Sequence, residues 1–211
     1  MKVESCQIFR INNFPQKHVV VFGNSSCVQT LKNINIGAAP EGLIGKIKVR
    51  NKENKECFLD VSKKIIIDGC ENYLVQNDDK NVVGEIVLKV KKYTDYDKLE
   101  YQSDPSHVFV SNLFNYSNPS TPYYKKTEQY KDIGTRLLQI ALKRSYEAMC
   151  NGNLKLVSKN ESKNWYKNII GMTEEFPATQ NSPYRFNIHN PNSMILPSGE
   201  KEHLANLHGG L

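Results

Sequence analysis

Apolar and polar residues alternate through much of the first half of the chain. Leu43 to Val49 and Cys57 to Val61 both keep a two-residue period, and Asn51-Lys52-Glu53-Asn54 between them has hairpin chemistry. His18 to Phe22 predicts a short apolar strand ended by Gly23-Asn24-Ser25-Ser26, and Ile65-Ile66-Ile67 a buried strand closed by Asp68-Gly69. Cys27 to Ile36 fits a short helix or a loop equally. A second hairpin runs from Tyr73-Leu74-Val75 through Asn77-Asp78-Asp79-Lys80-Asn81 into Val82 to Val90, where Ile86, Leu88 and Val90 share one face. His107 to Phe114, rich in Val and Phe, predicts another strand.

The period then lengthens. Between Asp132 and Met149, positions 134, 137, 138, 141, 145 and 148 fall on one helical face, and Asn151-Gly152-Asn153 supplies the stop. Leu154 to Val157 predicts a short strand. Ser162 to Ile169 predicts a short helix, capped by Ser158 or Asn160 and ended at Gly171, and Tyr184 to Ile188 a last strand. Glu200 to Leu207 holds one helical turn. This order predicts a mixed α/β sheet. The step from 107–114 through the helix to 154–157 has crossover length, which makes those two strands parallel neighbours.

With 211 residues the chain is sized for one core. The reading is a single domain over 1–190, comprising a strand-rich half at 1–75 and a core at 82–172, followed by a tail at 191–211. The formal charge of +6 raises the question of an anionic partner, but the lysines are scattered, so a solvated surface is preferred to a nucleic-acid patch. The five cysteines are odd in number and form no CxxC, which fits a reducing compartment and argues against a zinc site or a disulfide framework. His18, His107, His189, His203 and His208 show no metal spacing, so no metal is expected. The apolar runs are strand-sized, so no membrane contact is expected and the cytoplasm is the expected location.

Candidate chemistry concentrates in Gln129-Tyr130-Lys131-Asp132-Ile133-Gly134-Thr135-Arg136, which follows a strand and loop and opens the helix. A helix N-terminus offers unpaired N–H groups and the positive end of a dipole, and so suits a phosphate. Gly134 is costly inside a helix. It is explained either by a ligand approaching the backbone or by packing against a neighbouring strand. The segment is neither a Walker loop nor a dinucleotide fingerprint, for both glycine patterns are absent.

This segment resembles the pyrophosphate-binding motif Q/R-x-x-G-x-G/A of the GNAT (Gcn5-related N-acetyltransferase) superfamily. Gln129 and Gly134 match its outer positions, and Asp132 stands where the first glycine is expected. Asn160-Glu161-Ser162-Lys163-Asn164-Trp165-Tyr166 through Gly171-Met172 resembles the family's second signature, with Tyr166 one residue further from Gly171 than usual. Val82 to Leu88 resembles the strand preceding the core. The resemblance covers 82–172 and leaves out 1–70, where the family usually has one or two helices and this chain reads as strands.

The resemblance implies a mixed, mostly antiparallel sheet with a splayed parallel strand pair and flanking helices. It also implies acetyl transfer from acetyl-CoA to a primary amine by direct attack in a ternary complex. Cofactor-binding positions are then Leu113 and Phe114, as backbone donors on the splayed strand, with Gln129 through Arg136, Asn160 and Lys163. Tyr166 is the implied general acid. The stretch Ser111 to Asn115 has no acid, so the base falls to Glu85, His107, the N-terminal half or water. The acceptor is a small molecule or a protein, and a homodimer is left open. Two alternatives stand beside this: a non-catalytic coenzyme A sensor or scaffold of the same fold, and an acetyltransferase directed at RNA or tRNA.

Overall fold

The computed structural model describes residues 30–92, 106–119, 129–175 and 192–211. The strands expected at 18–22 and 184–188 lie outside them. Gly42–Asn51 (β1) and Glu56–Ile65 (β2) form an antiparallel hairpin. Its turn is closed by the Asn51 side chain, which accepts the Lys55 N–H at 2.9 Å, and by Asn54 at φ 64°. Asparagine tolerates that left-handed conformation well.

The isoleucine run corrects the sequence reading. β2 continues unbroken through Ile65, so Cys57 to Val61 and Ile65 belong to one strand, and Ile65 and Ile66 are 58% and 42% exposed rather than buried. The pattern hides this continuity because Lys63 occupies a core-facing position that it reserves for an apolar residue.

Cys70–Gln76 (β3), Val82–Lys91 (β4) and His107–Asn115 (β5) continue the antiparallel order. Tyr130–Lys131 (β6) pairs with the end of β1, and Ile133–Glu147 forms α1. Leu154–Val157 (β7) then lies parallel to β5, as the crossover length predicted. Asn160–Trp165 (α2) runs into a π-type turn, Tyr166–Ile170, and Gly171 ends it at φ 82°. Thr173–Glu174 (β8), Ser193–Ile195 (β9) and Lys201–Asn206 (α3) complete the described elements. Among the described residues the sheet order is β6-β1-β2-β3-β4-β5-β7-β9-β8, mostly antiparallel with one parallel pair and flanking helices.

α1 covers one face of the sheet. Ile133, Leu137, Leu138, Ile140 and Ala141 are fully buried, together with Val61, Tyr73, Val75, Ile86 and Leu88 of the sheet. Gly84 of β4 lets the helix approach, for a Cβ there would lie 2.5 Å from Ile133 Cγ2. The burial on α1 is wider than its predicted stripe, because residues 204–211 cover a second side. Gln139 Nε2 donates to the carbonyls of Leu204 and Leu207 at 2.9 and 2.8 Å.

A buried polar cluster ties residues 36–39 to the sheet and to the C-terminal end of α1. Lys63, 1% exposed, donates to the carbonyls of Ile36, Gly37 and Ala39 at 2.9, 2.8 and 3.2 Å. Glu71 takes a two-pronged Arg144 at 2.7 and 3.0 Å and the Tyr73 hydroxyl at 2.9 Å. Glu147 accepts the amides of Ile36 and Gly37 at 3.0 and 2.7 Å.

Candidate functional site

The site begins with one extra residue in β5. Val110 stands opposite Leu88 and Asn112 opposite Val87, so Ser111 is a bulge. Before it, the Val108 amide donates towards β7, to the Asn153 carbonyl at 3.0 Å. After it, the Tyr116 amide donates towards β4, to the Val83 carbonyl at 3.0 Å. Alternation then turns the Phe114 amide to β4 and the Leu113 amide away from it, to the side of β7. β7 is no longer there, because its last pair with β5 is Val110–Leu156. Of the two nominated backbone donors, Leu113 faces the opening and Phe114 belongs to the ladder.

The opening is a cleft of about 370 Å³, lined by Leu113, Asn115 and Asn118 on one side, Gly134 and Thr135 at the start of α1, and Ser162, Trp165, Tyr166 and Ile169 from the helix that follows. Asp132, Glu161 and His208 complete the lining. The first intrahelical bond of α1 runs from the Arg136 amide to the Asp132 carbonyl at 2.9 Å. The amides of Ile133, Gly134 and Thr135 precede it and have no intrahelical acceptor. They add to the positive end of the dipole beside the cleft.

Asp132 takes the left-handed conformation, φ 69° and ψ 1°. That is a conformation glycine adopts freely and aspartate is among the few other residues to tolerate. It occupies the N-cap position without making a side-chain cap bond. Its carboxylate instead receives Arg50 Nε and Nη2 at 2.8 and 3.1 Å, with His208 Nε2 at 3.4 Å. Burial alone would raise this carboxyl, but the Arg50 hydrogen bond and the charges of His208, Arg50 and Arg136 hold it below its ordinary value.

Gly134 faces Trp165, not a strand. A Cβ at 134 would lie 3.2 and 3.4 Å from ring atoms of Trp165, which packs edge-on to Tyr166 with centroids 4.9 Å apart. Tyr166 is 7% exposed, and burial pushes its phenol up to about 12, so it is protonated at neutral pH.

Several sequence candidates go elsewhere. Arg136 is 2% exposed and points away from the cleft. It donates to the carbonyl of Lys48 at 2.7 Å, to Gln139 Oε1 at 2.9 Å, to the carbonyl of His208 at 2.8 Å and to that of Gly210. Its side chain braces β1 and the C-terminal residues and is committed to them. Lys131 turns to Asn54 at 2.6 Å, and Gln129 and Tyr130 line a separate cavity with Phe58 and Asp78. Asn160 is exposed, and Lys163 pairs with Glu174 at 3.1 Å. His107 is buried at the far end of β5, six residues and roughly 20 Å from Leu113 at the usual strand rise. Glu85 lies opposite Phe114, on the sheet face away from α1. Arg50, Asn115, Trp165 and His208 were not singled out in the sequence, and only Trp165 lay within a recognised motif.

No family model matches the chain, and no curated protein matches it in sequence. Solved structures do resemble it. Gcn5 of Tetrahymena matches at 17% identity and TM-score 0.38, over 60% of this chain and 66%, just under two thirds, of that one. A variant of the toxin AtaT, bound to the C-terminus of the antitoxin AtaR and acetyl-CoA, matches at 14% and 0.41, over 64% and 72%. Nourseothricin acetyltransferase matches at 13% and 0.35, over 75% and 86%. Likeness at this level concerns the fold alone. Among the described residues the sheet is mixed and mostly antiparallel, with a parallel pair between β5 and β7, as the sequence reading expected.

Proposed function

We propose that this chain transfers an acetyl group from acetyl-CoA to a primary amine by direct attack, with no covalent enzyme intermediate. One observation carries the reading: Gly134 and Thr135 at the opening of α1, Leu113 beyond the end of the β5–β7 pairing, and Tyr166 all line one cleft. A thioester bearing a diphosphate fits this donor set, since Asp132, the carboxylate at the start of α1, is already paired with Arg50. The α1 amides would hold the diphosphate. The Leu113 amide would receive the acetyl oxygen and stabilise it as it becomes an oxyanion.

The acceptor must first lose a proton, because an amine of pKa ~10.4 is a cation at neutral pH. Glu85 is the base candidate that the geometry supports over the distant His107. As the C–N bond forms and the C–S bond breaks, Tyr166 donates to the departing sulfur and is reprotonated from solvent. The surplus amine proton leaves through Glu85. Cys150 is no nucleophile: it sits beyond the C-terminal end of α1, and burial raises its thiol.

Unfolding measured with and without acetyl-CoA tests the binding. A ligand at about 100 times its dissociation constant adds roughly 2.7 kcal/mol. No shift at millimolar ligand would refute the proposal. Ser111 to Asn115 carry no carboxylate, which favours a non-catalytic coenzyme A binder as the second reading. Stabilisation without thiol release on an amine panel would select it.

A further inference from the structure

We propose that the acceptor is a cationic amine received on the sheet face opposite α1, by Glu85, Asn72 and the ring pair Phe114–Tyr116. This rests on the acetyl-transfer reading and names the acceptor side of that site.

The pairing Ile86–Leu113 turns its side chains towards α1, so the neighbouring pair Glu85–Phe114 faces the other way. Glu85 there accepts the Asn72 amide nitrogen at 2.8 Å and the Tyr116 hydroxyl at 2.8 Å. Both donors are neutral, and no Lys or Arg pairs with Glu85 among the described residues. Other sheltered carboxylates differ: Asp60 carries Lys46 and Lys80, Glu71 carries Arg144, Asp132 carries Arg50, and Glu175 carries Lys155. Glu85 thus has only neutral partners among the described residues.

Beside it lies an acceptor with no donor. Asn72 Oδ1 is buried without a hydrogen-bond partner. Its orientation is forced, because turning the amide over would aim its oxygen at the carboxylate. An ammonium supplies three donors and one positive charge, which answers both deficits. Phe114 and Tyr116 stack at 5.8 Å with 12° between their planes, and their faces attract a cation. Phe114 adjoins Leu113 in sequence, so the amine on this face and the acetyl oxygen at the strand edge stand one residue apart.

The test measures thiol release from acetyl-CoA with cadaverine, Nα-acetyl-lysine amide and spermidine, and with 5-aminovalerate, whose carboxylate would oppose Glu85. The wild type is compared with Asn72→Ala and Glu85→Gln, and with Asn72→Ser should the alanine variant fail to fold. The cations are expected to exceed 5-aminovalerate in kcat/KM by about tenfold or more. Asn72→Ala should raise the amine KM about tenfold, with the loss concentrated in KM, and Glu85→Gln should lower kcat, since the same carboxylate takes the amine proton, and erase the preference among charges in the amine KM. Acetyl-CoA affinity should stay at the wild-type value in both. Variants that keep the wild-type amine KM and charge preference overturn the inference. So does a wild type that binds acetyl-CoA but neither binds nor acetylates any of these cations, an outcome that leaves the coenzyme site standing. Failure to bind acetyl-CoA removes the parent reading and this one with it.

Discussion

Replacing Lys63 with methionine isolates the cost of the buried polar cluster. The side chain is 1% exposed, and its ammonium serves three carbonyls and lies 3.9 Å from Glu71. Two effects oppose each other. Burial lowers the pKa of this lysine, a sign that keeping it charged is costly, and methionine removes that cost while filling similar volume. Against this, the Ile36 carbonyl loses its donor in a buried setting, at about 1–3 kcal/mol. The Gly37 and Ala39 carbonyls are only partly buried and can reach water, so each loses about half as much by the same rule. Glu71 keeps Arg144 and Tyr73, so no charge is orphaned. The acceptors win, and the net loss is about 2–4 kcal/mol. At roughly 2–4 °C per kcal/mol for a chain of this size, Tm falls by about 5–15 °C. Urea unfolding followed by the single tryptophan, Trp165, measures it. A variant within about 0.5 kcal/mol of wild type, the range of an ordinary surface change, would refute the reasoning.

Tyr166→Phe should retain acetyl-CoA-induced stabilisation but lower the turnover of thiol release by about 100-fold, the lower range for a lost general acid; steady-state kinetics on the best amine decides. Gly84→Ala places a methyl group 2.5 Å from Ile133 Cγ2, so it should destabilise by about 1–3 kcal/mol and weaken acetyl-CoA binding through the start of α1, which urea titration and calorimetry resolve. Asp132 is held below its ordinary value in the fold, so it contributes stability above about pH 4, and that contribution is lost as the pH falls through the lowered value. Asp132→Asn should therefore flatten the acid limb of unfolding free energy against pH, and an unchanged slope would refute the assignment.

Period-two alternation made β1 and β4 legible, the hairpin turn at 77–81 announced β3, the Val and Phe content announced β5, and the change to a helical period announced α1. Lys63 broke the pattern in β2 because a lysine can lie inward when three carbonyls await it, and no local signal reveals those partners. The wide burial of α1 over residues 133–142 was equally hidden, since its second cover is residues 204–211, more than sixty positions away. At the site, Gly134 and Tyr166 stood in motifs. Arg50 and His208 reach Asp132 only through tertiary folding, and a backbone at φ 69° is not written in an aspartate. Arg136 read as a cofactor-binding position from its place in the motif, because its acceptors, main-chain oxygens from distant segments and one neighbouring amide, leave no local signal.

Ser111 gives β5 a half-period offset. Upstream, even-numbered residues send their amides towards the parallel neighbour; downstream, odd-numbered ones do. Drawing that residue into regular pairing opposite Val87, with nothing removed, would restore an unshifted comb of donors. The Leu113 amide would rotate into the ladder, and the bulky ring of Phe114 would swing beneath the helix. The vacancy between the strands would then be faced by the wrong tooth.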